Sequence, residues 1–158
     1  MLDKLKEKLT GPKRTKIILD TNILLLPGQS GIDIFTEIER IADFPFTFCT
    51  VEEVFRELKD ISEGKTVRRR LYAHRNVKKS AKGADKQSAK LGFILGKQKD
   101  LKTVGRFSNM SLADDAILAV ADDAVMVATL DRKLQRELLE RNVPVVTLRQ
   151  KKYFTIIR

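Results

Sequence analysis

Four short apolar runs constrain this chain more than any other feature: Lys16–Asp20 (KIILD), Phe46–Thr50 (FTFCT), Val125–Leu130 (VMVATL) and Val143–Leu148 (VPVVTL). Each is rich in Val, Ile or Phe and too short for a buried helix, so each reads as a strand. The first follows the Gly11-Pro12 breaker and leads to a turn expected around Leu26–Gly31; the second follows Pro45. Between the runs, apolar residues recur at helical spacing. Ile32–Ala42 carries Ile34, Phe35, Ile38, Ile41 and Ala42 on one face. Further helices are expected from Thr50 to about Ile61, over Ser111–Asp122, and over Asp131–Arg141 before the Asn142 stop signal. Lys65–Lys79 and Gly83–Gly96 read as two basic helices, and Lys99–Val104 as a short strand. Buried strands alternating with helices specify an α/β chain, a three-layer α/β/α sandwich around a mostly parallel sheet of about five strands. Ligands of such sheets gather beyond the carboxyl ends of the strands.

No repeat or linker divides the chain, so residues 1–158 read as a single domain, with 1–14 an N-terminal extension, flexible or helical. The lone cysteine, Cys49, excludes an internal disulfide framework and a four-cysteine zinc ribbon. No apolar run approaches the roughly 20 residues that span a bilayer, and the lysine-rich start lacks a signal-peptide core. These features lead us to expect a soluble, cytoplasmic protein with no membrane partner.

The formal net charge of +10 is unevenly placed. From Lys65 to Arg106 fourteen Lys and Arg face only Asp85 and Asp100, so this stretch carries +12 and the remainder −2. The basic helical segment, 65–98, therefore suggests a polyanionic partner, because phosphate neutralisation supplies most nonspecific nucleic-acid affinity. Arg68, Arg69, Arg70, Arg75, Lys78 and Lys79 are its candidate nucleic-acid contacts. A pair of solvated basic helices would carry the same charge.

Four acids fall where chemistry is expected. Asp20 ends the first strand, and Asp131 ends the strand Val125–Leu130 and opens a helix. Taken singly, each also suits a turn or an N-cap. Thr50-Val51-Glu52-Glu53 reads as a capping box, with Glu53 reaching back to the Thr50 amide. One turn on, Glu57 flanks the core stripe Val54, Leu58 and Ile61, while Glu52 and Lys59 point away. Ser111 is the expected N-cap of the next helix. There Asp114 lies at the edge of the stripe Ala113, Ala116, Ile117, Val120, and Asp115 nearly opposite it. Thr129 could orient a ligand from its strand end. Carboxylates gathered in one cleft are unfavourable without a cation, and oxygen-only ligation suits Mg²⁺ or Mn²⁺. One His and one Cys make a zinc site or a His- or Cys-dependent nucleophile a poor fit. A carboxylate metal cluster beside a basic face suits phosphodiester hydrolysis.

The same residues resemble the PIN-domain nucleases over essentially the whole chain. IILDTNILL is similar to the family's opening strand and first acid, Asp20, with Asn22 as companion. TVEEVFREL resembles the segment ending in the second acid, Glu57; SLADDAILAVA resembles the helix of the third. The ADD doublet permits Asp114 or Asp115 there, and aligning on Ala121 favours Asp114. VATLDRKLQREL resembles the segment with Thr129 and the fourth acid, Asp131. The resemblance implies an endoribonuclease using Mg²⁺ or Mn²⁺, a five-stranded parallel sheet flanked by helices, and a homodimer. Within the family the later motifs most resemble the branch that processes small-subunit ribosomal RNA. That branch implies pre-rRNA as substrate and a ribosome-assembly partner. The VapC toxins of toxin–antitoxin pairs come next, implying an antitoxin. A non-catalytic RNA-binding scaffold and a receiver-like phospho-acceptor domain are the readings outside nuclease chemistry.

Overall fold

The computed structural model describes residues 14–65, 83–105 and 112–158. The expected helix Lys65–Lys79, the candidate contacts Arg68, Arg69, Arg70, Arg75, Lys78 and Lys79, and the proposed cap Ser111 lie largely or wholly outside them. The strands are β1 (Thr15–Leu19), β2 (Phe46–Thr50), β3 (Lys102–Thr103), β4 (Val125–Ala128), β5 (Val145–Arg149) and β6 (Tyr153–Ile157). The helices are α1 (Thr21–Ser30), α2 (Ile34–Ile41), α3 (Glu52–Ser62), α4 (Gly83–Gln98), α5 (Ala113–Val120) and α6 (Arg132–Glu140).

The strands form one sheet in the order β3-β2-β1-β4-β5-β6. All pairings are parallel except β5 with β6. β1 is central, with Ile18 beside Cys49 of β2 and Val127 of β4. Ile17, Ile18 and Leu19 are all buried, as is every residue of β4. Successive side chains point to opposite faces, so burial of all of them requires helices on both. The expected α/β architecture is borne out. β6 was not foreseen: it returns antiparallel along β5 through a turn without glycine or asparagine at its centre, and carries no alternation strong enough to announce it.

The turn expected around Leu26–Gly31 is instead the last part of α1. Asp20 caps this helix, accepting from the Thr21 N–H, and Gly31 ends it at φ 66°. Pro27 lies inside it. A proline there removes one helical donor, yet Ile23, Leu24, Leu25 and Leu26 are all buried. At about 1.5–3 kcal/mol for each large apolar side chain, that burial outweighs one lost hydrogen bond.

The capping box at Thr50 is also corrected. Val51 is the N-cap of α3 and makes no side-chain capping bond. The Thr50 hydroxyl donates to Leu19 O at 2.8 Å, a fully buried bond between neighbouring strands, and Glu53 is buried on α3 at 6% exposure. Leu112, likewise without a side-chain bond, precedes α5. The stripe Val54, Leu58 and Ile61 is buried as expected.

α4 packs against α1 and α3. Its approach to α1 is close: a Cβ built on Gly92 would lie 2.3 Å from Leu24 O.

α2 has a conventional cap. Asp33 accepts from the Thr36 N–H at 3.2 Å and from the Thr36 hydroxyl at 2.8 Å. The Thr36 hydroxyl bond, then its N–H bond, hold the Asp33 carboxyl below its ordinary 3.8. A carboxylate lowered on folding stabilises fully above its unfolded value and loses that contribution as pH falls through the folded one. As loss of a side-chain N-cap, Asp33→Ala should cost about 1 kcal/mol at pH 7. The gap to wild type should narrow as pH falls below 3.8, as read by urea denaturation at each pH.

Candidate active site

The chain moves outward from β1 to β2 and β3, then returns past β1 to build β4 and β5 on its other side. The reversal falls between β1 and β4, whose outgoing helices part there and leave a crevice at the carboxyl rim. Asp20 and Thr129, the residues just past β1 and β4, stand on either side of it.

Asp20 is 3% exposed and held from three sides. Its Oδ1 accepts from the Thr21 N–H at 2.7 Å. Its Oδ2 accepts from the Thr129 hydroxyl at 2.6 Å and from Asn22 Nδ2 at 3.1 Å. Short bonds of this kind fix the carboxyl group's orientation. Asn22 also ties the two sides together: Nδ2 donates to Thr129 Oγ1 at 3.3 Å, and its Oδ1 accepts from the Leu130 N–H at 3.0 Å.

Glu57 joins this unit through its carboxylate and Asp131 through its backbone N–H, each at a threonine. The Thr21 hydroxyl donates to Glu57 Oε2, linking the first turn of α1 to the half-buried glutamate of α3. Thr129 Oγ1 accepts from the Asp131 N–H at 3.1 Å. Asp131, 5% exposed, is the N-cap of α6, its Oδ1 accepting from the Lys133 and Leu134 N–H groups at 2.8 and 3.3 Å. Thr21 was missed by sequence reading, although it directly follows Asp20. Gln135 was missed too. Its amide donates to Thr129 O at 2.8 Å and Thr147 Oγ1 at 2.9 Å, bracing the rim between β4 and β5.

Asp114 and Asp115 occupy the first turn of α5, a helix packed against α3. α5 ends at Val120, shortly before β4 begins at the opposite rim, so its N-terminal turn faces the carboxyl rim. At about 100° per residue, Asp114 projects between buried Ile117 and Leu118, and Asp115 between Leu118 and exposed Ala119.

Among the described residues no three Asp, Glu, His or Cys side chains form a group able to enclose a metal ion. The hydrogen bonds bring two carboxylates together, those of Asp20 and Glu57, through Thr21. Mg²⁺ is commonly held in that manner, by one or two carboxylates with waters and substrate phosphates completing the shell. Every side-chain donor in the unit around Asp20 and Glu57 is an oxygen or an amide, which suits a hard divalent cation and not zinc.

Comparison with known proteins gives the class. A family model described as a PIN like domain matches residues 17–151. The chain belongs to the PIN-domain family. It is 36% identical over 143 residues to Ribonuclease VapC4 of Methanocaldococcus jannaschii, covering 89% of this chain and 95% of that protein. Its fold is also similar to the solved PIN domain endonuclease Utp24, with TM-score 0.62, 15% identity, and coverage of 90% of this chain and 91% of the other. Among the described residues no helix is long and apolar enough to cross a membrane.

Proposed function

We propose that this protein is a divalent-metal-dependent endoribonuclease whose acids are Asp20, Glu57, Asp114 and Asp131, with Asp114 preferred over Asp115. The observation that carries this is the hydrogen-bonded unit at the sheet's switch point, in which Thr21 connects the carboxylates of Asp20 and Glu57 and Thr129 connects Asp20 to the Asp131 N–H. A relative at 36% identity that is named a ribonuclease supports the same chemistry. An Mg²⁺ or Mn²⁺ bound at this rim would supply a readily deprotonated water and neutralise charge on the departing oxygen. The chain's own part is orientation. Thr129 and Asn22 hold Asp20 Oδ2, and Thr21 turns Glu57 toward the same crevice. Asn22 and Gln135 keep the loop after β4 in place while RNA occupies the rim. We place this activity in the cytoplasm, with RNA as the partner.

Two biological targets fit this chemistry. The motifs of the later helices resemble the branch that processes small-subunit ribosomal RNA, which makes pre-rRNA the substrate. The identity to VapC4 favours a toxin reading, with an antitoxin as partner. Expression of the chain alone should arrest growth in the toxin reading only, and a small antitoxin gene should then adjoin it.

The activity itself is tested with purified protein and 5′-labelled structured RNA. Discrete cleavage is expected in Mg²⁺ or Mn²⁺ and none in excess EDTA. Equal cleavage in EDTA, or intact RNA across a full titration of both metals, would overturn the proposal.

A further inference from the structure

Beyond the acids the same rim continues into a groove of about 640 Å³. Arg132, Gln135, Thr147, Arg149, Lys151 and Tyr153 line it. β5 lies beside β4 and runs parallel to it, so its end at Arg149 opens on the rim that carries Asp20 and Asp131. Continuity with the active site is direct. Arg132 follows Asp131, and the Gln135 amide bridges Thr129, which holds Asp20, to Thr147 in the groove wall.

The lining has the chemistry of a polyanion track. Arg132, Arg149 and Lys151 are exposed, and no ion pair among the described residues engages them. Tyr153 stands among them at 43% exposure, leaving an aromatic surface in water. Cations spaced along a groove with an accessible ring form the recurring platform for single-stranded nucleic acid, where phosphates meet the charges and an unpaired base stacks.

The turn joining β5 to β6 points the same way. Lys152 N–H donates to Arg149 O at 2.9 Å, and both central residues have positive φ, 51° at Gln150 and 55° at Lys151. Hairpin turns of this sign favour Asn-Gly, since other side chains are strained there. Here the strained positions hold a glutamine and a lysine that border the groove.

We infer that this groove is a substrate subsite that binds the single-stranded RNA segment adjoining the scissile phosphate, with Arg132, Arg149 and Lys151 on phosphates and Tyr153 stacked on a base. The inference rests on the ribonuclease reading above and assigns a second, separable part of its substrate contact.

The test measures RNA affinity by fluorescence anisotropy in an Asp20→Asn background, and KM and kcat in the active protein. Arg149→Gln with Lys151→Gln should weaken single-stranded RNA binding about tenfold, and lower the slope of log affinity against log salt by about 1.4. KM should rise with little change in kcat. Tyr153→Ala should weaken binding about 5- to 100-fold, while Tyr153→Phe, which keeps the ring, should stay within about twofold. Lys16→Gln, at the amino end of β1 on the opposite rim, serves as the control. Gln150→Asn with Lys151→Gly should raise Tm by a few degrees while weakening RNA binding, which separates loss of contact from loss of fold.

If the wild-type protein cleaves RNA but the groove variants match it in affinity, salt slope and KM, the subsite is wrong and the nuclease reading stands. If the groove variants weaken RNA binding but no metal supports cleavage, the nuclease reading fails and the groove is still an RNA site. A control that weakens binding as much as the groove variants would overturn the subsite, because the effect would then be general charge.

Discussion

Asp20→Asn is expected to lower metal-dependent RNA cleavage by about 10³-fold or more, with the fold and RNA binding retained. The substitution is nearly isosteric, and it separates the two roles open to this residue. As an N-cap of α1, asparagine performs as well as aspartate, because its Oδ1 can still accept from the Thr21 N–H. As a metal-ligating acid it cannot substitute: the charge is gone, and an NH₂ now stands where Oδ2 accepted from Thr129 and Asn22. Losing one electrostatic element of a catalytic centre lowers rates by about 10²–10³, and losing a central metal ligand by more. The Thr129 hydroxyl can rotate, so one mismatched donor pair should cost only about 1 kcal/mol of stability. Single-turnover cleavage in saturating Mn²⁺, with Tm measured alongside, decides between them. Cleavage at the wild-type rate would reduce Asp20 to a helix cap.

Gly92→Ala should destabilise the protein by about 3 kcal/mol, although alanine is the better helix former. The added methyl would stand 2.3 Å from Leu24 O, a backbone atom that cannot swing aside as a side-chain tip would. Relief requires α4 to move off α1, and overpacking of this kind typically costs 1–3 kcal/mol. For a chain of this length each kcal/mol lowers Tm by about 2–4 °C. Gly83→Ala is the matched comparison. Nothing lies within 4 Å of its added Cβ, so this variant should be neutral or stabilised by up to about 0.5 kcal/mol. Urea denaturation should show a large loss for Gly92→Ala and none for Gly83→Ala; equal shifts would show that the α1–α4 approach does not constrain the fold. The Gly92 variant should also lose activity, since α1 carries Asp20 and Thr21 at its start and α4 packs on both α1 and the Glu57 helix, α3.

Much of the candidate site is legible in the sequence because its residues sit at boundaries that local chemistry marks. Asp20 and Asp131 follow apolar runs, and both were found at the carboxyl ends of adjacent strands. Glu57 was placed by helical periodicity beside Val54, Leu58 and Ile61, and that stripe is buried. Where the local rules failed, a distant partner had intervened. A turn is expected around Leu26–Gly31, yet α1 runs through Pro27 to Ser30 because its leucines are buried. Thr50 and Glu53 make a plausible capping box, yet the Thr50 hydroxyl is taken by Leu19 O on the neighbouring strand. β6 escaped notice because Gln150-Lys151 is not the dipeptide that its turn prefers.

Periodicity and composition thus determined the α/β class, the mostly parallel sheet and where candidate acids fall along it, since each depends on residues within a few positions of one another. Tertiary structure alone decided which of these residues touch. It brought Thr21 to Glu57 and Thr129 to Asp20 across 36 and 109 positions of sequence. The strand order β1-β4-β5 then laid Arg132, Arg149 and Tyr153 along the same rim. Such contacts are set by sheet order and by crossovers between parallel strands, and no local spacing in the chain encodes them.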